Sequence, residues 1–176
     1  MLKKRESVFK GRVFAVTVDE VELEGRVLRR DVVHHPGAVA MLVRDRNGRF
    51  LFVRQYRHPA GQKLLEIPAG TLEEGESPRE TALRELREEG GIVAHSLKFV
   101  TRFYVAPGYS TELIHLFYVD EFDIVENSPE EDEDIEILWV RDEEALSMVR
   151  RGQIIDAKTI IALLWWASFG IEQDTV

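Results

Sequence analysis

Gly70-Thr71-Leu72-Glu73-Glu74-Gly75-Glu76-Ser77-Pro78-Arg79-Glu80-Thr81-Ala82-Leu83-Arg84-Glu85-Leu86-Arg87-Glu88-Glu89-Gly90-Gly91-Ile92 is the stretch on which the fold turns. Its middle carries a complete helix-start signal. Ser77 stands in the capping position, Pro78 in the first helical position, and Glu80 closes a capping box. A helix is expected from Pro78 to about Glu89, stopping at Gly90-Gly91, with Ala82, Leu83 and Leu86 as its apolar stripe. Glu85 and Glu89 lie four residues apart and share a face, with Glu88 beside them.

That face is costly in isolation. Like charges at i and i+4 destabilise a helix by roughly 0.2–0.5 kcal/mol per pair, and acids near a helix C-terminus oppose its dipole. Arg84, one turn before Glu88, relieves part of the repulsion. Taken alone, E-x-x-E-E carries two readings: a solvated face with a salt bridge, or an oxygen-ligand site for a hard cation such as Mg2+ or Mn2+. The wider window decides between them. It fits G-x5-E-x7-R-E-U-x-E-E-x-G-U without a mismatch, U being bulky aliphatic, with Gly70, Glu76, Arg84, Glu85, Glu88, Glu89 and Gly91 at the fixed positions. From the chain's own 22 Glu, 17 Arg and 12 Gly, chance would produce it on the order of one time in a million.

Outward from this stretch, the N-terminal third reads as strand. Phe14 to Leu23 and Val27 to Val33 are rich in β-branched residues and roughly alternate. Ala38 to Arg44 and Phe50 to Arg54 flank Asn47-Gly48, a hairpin signal. Leu97 to Val105 and Glu112 to Glu121 form another expected pair around Pro107-Gly108, and Ile135 to Val140 is a further strand. The tail is helical, from Glu143 to Arg151 and from Ala157 to Phe169. The run Pro129 to Asp134 is an acidic loop between strands.

Composition bounds the function. At 176 residues with 44% hydrophobic residues, the chain is long enough for one domain with a real core. The absence of cysteine removes thiolate nucleophiles and sulfur-based zinc sites. A net charge of −9 repels nucleic-acid phosphates, yet carboxylates can hold a cation that inverts the field locally. The start lacks a signal-peptide apolar core and the longest apolar stretch, near IIALLWWASFG, is too short to cross a bilayer. A cytoplasmic protein with no membrane and no nucleic-acid partner is expected.

The pattern from Gly70 to Ile92 is the signature of the Nudix hydrolases, and the chain resembles that family over nearly its whole length. The resemblance implies an α/β/α sandwich around a mixed β-sheet, and hydrolysis of a nucleoside diphosphate linked to another moiety. It implies Glu85 and Glu89 as metal ligands, Glu88 as a ligand or supporting acid, and the Ala69 carbonyl as a further ligand. Arg84 and Glu76 would orient the metal-binding helix, and Gly70 and Gly91 would permit the loop geometry. The cofactor implied is Mg2+, with Mn2+ or another divalent cation as alternatives.

Features outside the box look like the ADP-ribose pyrophosphatases. Pro107 stands sixteen residues after Gly91, followed by Gly108 and then Glu112. Val53-Arg54-Gln55-Tyr56-Arg57 leads into Leu65-Glu66-Ile67-Pro68-Ala69-Gly70. The loop Glu130 to Asp134 resembles the one that carries the catalytic base, which implies Glu131 as the base and Glu133 as a residue reaching the metals. Arg57 is the first candidate for clamping the diphosphate, because a guanidinium donates two parallel hydrogen bonds to phosphate oxygens. Arg54 is the alternative, on the opposite strand face if the strand continues that far. Glu112 is a candidate for the terminal ribose or a metal-bound water, and Tyr56, Phe14 and Tyr109 are aromatic candidates for adenine. The five histidines are taken as structural.

The expected activity is cleavage of ADP-ribose to AMP and ribose 5-phosphate. The rivals are the same chemistry on a sugar nucleotide, a dinucleoside polyphosphate or NADH, and a non-catalytic ADP-ribose sensor. Residues 1–36 are expected to form an antiparallel β extension and 37–176 the Nudix domain. The family further implies a homodimer that shares N-terminal strands.

Overall fold

Three strands, β1 (Leu2–Lys10), β2 (Ala15–Leu23) and β3 (Arg26–His34), form an antiparallel sheet in that order. The alternation in β2 turns Thr17 and Asp19 to a buried face. β1 is exposed at every position, which is why no apolar period announces it. Its register comes from main-chain pairing with β2 and from Arg5, which donates to both carboxylate oxygens of Asp19 at 2.9 and 2.6 Å. The computed structural model describes residues 1–126 and 135–170.

β4 (Ala38–Val43) is buried at all six positions, and its alternation divides the interior in two. Ala38, Ala40 and Leu42 belong to one core with Phe50, Phe52 and Ile67, and Val39, Met41 and Val43 to a second with Leu51 and Phe117. α1 (Pro78–Glu88) covers the second core with Ala82 and Leu86. α2 (Asp142–Arg150) and α3 (Ala157–Phe169) cover the first with Ala145, Ala162 and Leu163. A strand apolar on both sides needs a layer on each, and the α/β/α sandwich is the result.

The remaining strands are β5 (Arg49–Arg57), β6 (Gln62–Glu66), β7 (Ala69–Thr71), β8 (Ile92–Ala94), β9 (Lys98–Tyr104), β10 (Leu113–Val119), β11 (Phe122–Ile124) and β12 (Glu136–Arg141). One mixed sheet has the order β7-β4-β10-β9, with β4 and β10 parallel, and a second has the antiparallel order β12-β5-β6. β8 pairs with β11.

One expectation needs correction. The turn at Asn47-Gly48 forms, with Gly48 N–H donating to the Asp45 carbonyl at 3.1 Å, but the pairing of β4 with β5 ends at one bridge, Arg44 to Phe50. The two strands then enter different sheets. Both are buried, so each takes neighbours that cover it on two sides, and a local turn signal does not outweigh that. The pair β9–β10 and helix α3 form where the sequence places them. In α3, Trp166 packs edge-on against Phe50 at 5.0 Å and Trp165 lies against Phe169.

Candidate active site

The capping box is complete. Ser77 Oγ accepts the Glu80 N–H at 3.3 Å, and Glu80 Oε2 accepts the Ser77 N–H at 2.8 Å. Fixing the start of α1 fixes the rotation of its acidic face. Arg84 is the organising cation of that face. It donates from Nε and Nη2 to Glu76 at 3.1 Å each, and from Nη1 to Glu85 at 2.9 Å and Glu88 at 3.1 Å. The hydrogen bonds to Glu76 lead in raising the Arg84 pKa, and burial opposes them. Glu76 in turn is held low, first by Arg84 and then by the Thr81 hydroxyl.

Two contacts tie this helix to the loop before it. The Ala69 N–H donates to Glu89 Oε2 at 3.3 Å, and Glu89 is only 5% exposed. A Cβ built on Gly70 would fall inside the Glu85 carboxylate, with the same side chain supplying the three nearest atoms. Only glycine admits that approach. After the helix, Gly91 turns the chain with φ +59°, a left-handed conformation that glycine adopts without penalty.

Glu85, Glu88, Glu89 and Gly70 line a cleft of about 530 Å³ together with Arg84 and Glu73. A second cleft, of about 400 Å³, is lined by Leu64, Phe103, Tyr104, Ile114 and Ile161 together with the charged side chains of Glu66, Glu112, Asp156 and Lys158. Arg57, Ala69, Gly70 and Thr71 belong to both walls. A carboxylate-rich cleft therefore opens through an arginine into one of mixed apolar, aromatic and charged lining.

The expected residues separate accordingly. Glu85, Glu88, Glu89, Arg84 and Ala69 meet in the first cleft, and Arg57 and Glu112 line the second. Strand β5 does reach Arg57, so Arg54 faces the other way and donates to Glu136 at 3.0 Å. Arg54, Tyr56, Phe14 and Tyr109 line neither cleft. Tyr109 instead receives the Val33 N–H on its carbonyl, and the Thr111 N–H returns to the Val33 carbonyl, so the end of β3 pins the Pro107–Glu112 loop. Glu131 and Glu133 lie outside the described residues.

Sequence reasoning missed Glu66, Asp156, Lys158, Phe103 and Tyr104. Glu66 alone left a trace, as a lone charge inside the apolar run Leu64-Leu65-Glu66-Ile67, where a buried acid must have partners. Arg57 donates to it from Nε at 2.8 Å and from Nη2 at 2.9 Å, and Lys158 Nζ donates to Oε2, the oxygen that also accepts Arg57 Nη2. Burial pushes the Glu66 carboxyl up, but the Arg57 hydrogen bonds and the Lys158 charge outweigh it and hold it low.

A fold with a two-sided β4 and an acidic helix docked on a glycine loop defines a class. The chain belongs to the Nudix family of hydrolases: the family model described as NUDIX domain matches residues 33–163. Relatives extend over most of its length. The ADP-ribose pyrophosphatase of Bacillus subtilis (strain 168) is 43% identical over 162 residues, covering 90% of this chain and 88% of that protein. The methanol dehydrogenase activator of Bacillus methanolicus is 40% identical over 163 residues, covering 91% and 88%. A crystal structure of an ADP compounds hydrolase shares the fold, with a TM-score of 0.79 at 20% identity over 96% of this chain and 92% of that one.

Nudix hydrolases generally need divalent cations, and the donors here suit one. They are oxygens, the choice of hard cations, and the glycine approach brings the Glu85 carboxylate against the loop that holds the Ala69 carbonyl. Among the described residues no three acidic or imidazole side chains already stand in a ligating group. Arg84 occupies an oxygen of Glu85 and one of Glu88 instead. Among the same residues no helix is long and apolar enough to cross a membrane.

Proposed function

We propose that this Nudix hydrolase cleaves the diphosphate bond of ADP-ribose, adding water across one P–O bond to release AMP and ribose 5-phosphate. The observation that carries the reading is the shared wall, where Arg57, Ala69 and Gly70 join the acidic cleft to the second, mixed one. A diphosphate would lie across that wall with a moiety extending past it. The 43% identical ADP-ribose pyrophosphatase supports the choice of substrate.

In this reading Glu85, Glu89 and the Ala69 carbonyl hold Mg2+, with Mn2+ or another divalent cation able to substitute, and Glu88 supports them. The bound cation offsets phosphate charge and lowers the pKa of water. Arg84 holds the acidic face in register through its hydrogen bonds to Glu76, Glu85 and Glu88. Arg57 donates hydrogen bonds to the diphosphate, and Glu112 meets the terminal ribose. Glu131 is proposed as the base, with Glu133 reaching the cation. The Phe103 and Tyr104 side of the second cleft replaces Tyr56, Phe14 and Tyr109 as the aromatic surface for the adenosine or ribose end.

Residues 1–36 are proposed as a dimer-forming extension of a cytoplasmic enzyme. The exposure of Val8, Phe9, Val13 and Phe14 fits an apolar contact there, and sedimentation at equilibrium checks it. The test of the function is AMP release from ADP-ribose with and without Mg2+, beside GDP-mannose, a dinucleoside polyphosphate and NADH. Cation-dependent preference for ADP-ribose is the expected result. Preference for another compound keeps the chemistry and retires the substrate. Silence on all of them from folded protein, with ADP-ribose still bound, overturns the catalytic reading in favour of a sensor.

A further inference from the structure

Lys158 stands where helix physics does not favour it. It lies in the first turn of α3, at the positive end of the helix dipole, which favours anions, and its side chain is only 12% exposed. Its two acceptors explain the placement. Nζ donates to the fully buried Glu66 carboxylate and, at 3.0 Å, to Asp156, the residue that caps α3. Glu66 in turn takes both Nε and Nη2 of Arg57, which leaves Nη1 of that guanidinium uncommitted to Glu66, while Arg57 remains 39% exposed and lines both clefts. The same helix turn also holds the neighbouring backbone, because Thr159 Oγ1 accepts the Ile67 N–H at 2.9 Å.

Charge decides what the arrangement does. Arg57 and Lys158 balance Glu66 and Asp156. Without Lys158 the group carries a net negative charge beside the path of an anionic substrate, and Glu66 turns wholly onto Arg57. We infer that Lys158 is a positioning residue for the diphosphate: it holds the Glu66 bracket that presents Arg57 to phosphate and keeps that side of the cleft from repelling it. The inference rests on the proposed diphosphate substrate, with Arg57 as its phosphate contact.

Two measurements on Lys158→Met, Lys158→Arg, Arg57→Ala and the double variant Arg57→Ala/Lys158→Met test it. In ADP-ribose hydrolysis, Lys158→Met should raise KM about tenfold while kcat stays within about threefold. Lys158→Arg should recover most of the loss, and the double variant should match Arg57→Ala alone, since the effect runs through Arg57. Calorimetric binding of inorganic pyrophosphate should weaken in the same order, whichever diphosphate the enzyme turns over. A protein inert toward ADP-ribose therefore fails the substrate reading and leaves this test in force. If Lys158→Met melts too low to assay, Lys158→Gln keeps a donor to Glu66 without the charge and carries the same expectation. Unchanged pyrophosphate affinity in a folded variant, or additive losses in the double variant, overturns the inference.

Discussion

Two clusters of acids and cations face the same backbone segment and differ in one respect. At the acidic face of α1, Glu76, Glu85 and Glu88 all accept hydrogen bonds from Arg84, and Arg12 lines the same cleft. At the start of α3, Glu66 and Asp156 meet two cations, Arg57 and Lys158. The first cluster crowds Glu85, Glu88 and Glu89 into one cleft, and crowded carboxylates are favourable hosts for a divalent cation. The second is balanced, and its arginine is held rather than consumed. In the proposed function the first serves as a seat for a cation and the second as a bracket for an anion, a few residues apart along Glu66 to Gly70.

The largest effect should come from breaking the acidic cluster of α1. Glu89→Gln keeps the shape and removes the charge, and cation-supported hydrolysis should fall by about a thousandfold, on the order of 4 kcal/mol, with an unchanged circular dichroism spectrum. Near-normal turnover would remove Glu89 from the seat. Gly70→Ala attacks the same cluster through sterics. Its added methyl collides with Glu85, so stability should drop by about 1–3 kcal/mol and Mn2+ binding should weaken in parallel. A variant with wild-type melting and affinity would show that the close approach is dispensable.

Smaller effects sharpen the contrast. Ser77→Ala removes the side chain that caps α1 and should cost about 1 kcal/mol, read as a lower melting temperature with the balanced cluster untouched. Acid probes the Glu66 cluster. The Glu66 carboxyl is held below its ordinary value against the pull of burial, so it stabilises the fold above its unfolded value of about 4.3. That contribution disappears as pH falls through the lower, folded value. Melting temperature should therefore fall more steeply below about pH 4.3 in the wild type than in Glu66→Gln. Parallel curves would mean that Arg57 and Lys158 do not hold the charged form.

The cation seat was legible in sequence because its parts are neighbours. Ser77, Glu80, Glu85, Glu88 and Glu89 act within one helix, where spacing alone decides which side chains share a face. The bracket was not legible, since Lys158 and Glu66 are 92 residues apart and the lone charge of Glu66 in its apolar run does not say which cation meets it. The hairpin expected at Asn47-Gly48 failed for a related reason. The turn is local, but whether β4 and β5 remain paired depends on which partners cover two buried strands. β1 escaped notice because it buries nothing and is held by pairing.

By itself the sequence determined the helix, its cap, the register of its carboxylates, and with them the family. Only the tertiary structure decided that Arg57 rather than Arg54 meets the clefts, that Phe103 and Tyr104 provide the aromatic wall, and that Lys158 stands behind Glu66. The reason is physical. Covalent spacing along a helix prescribes contacts over a few residues, whereas a buried charge is satisfied by whatever packing brings to it, and that partner can lie anywhere along the chain.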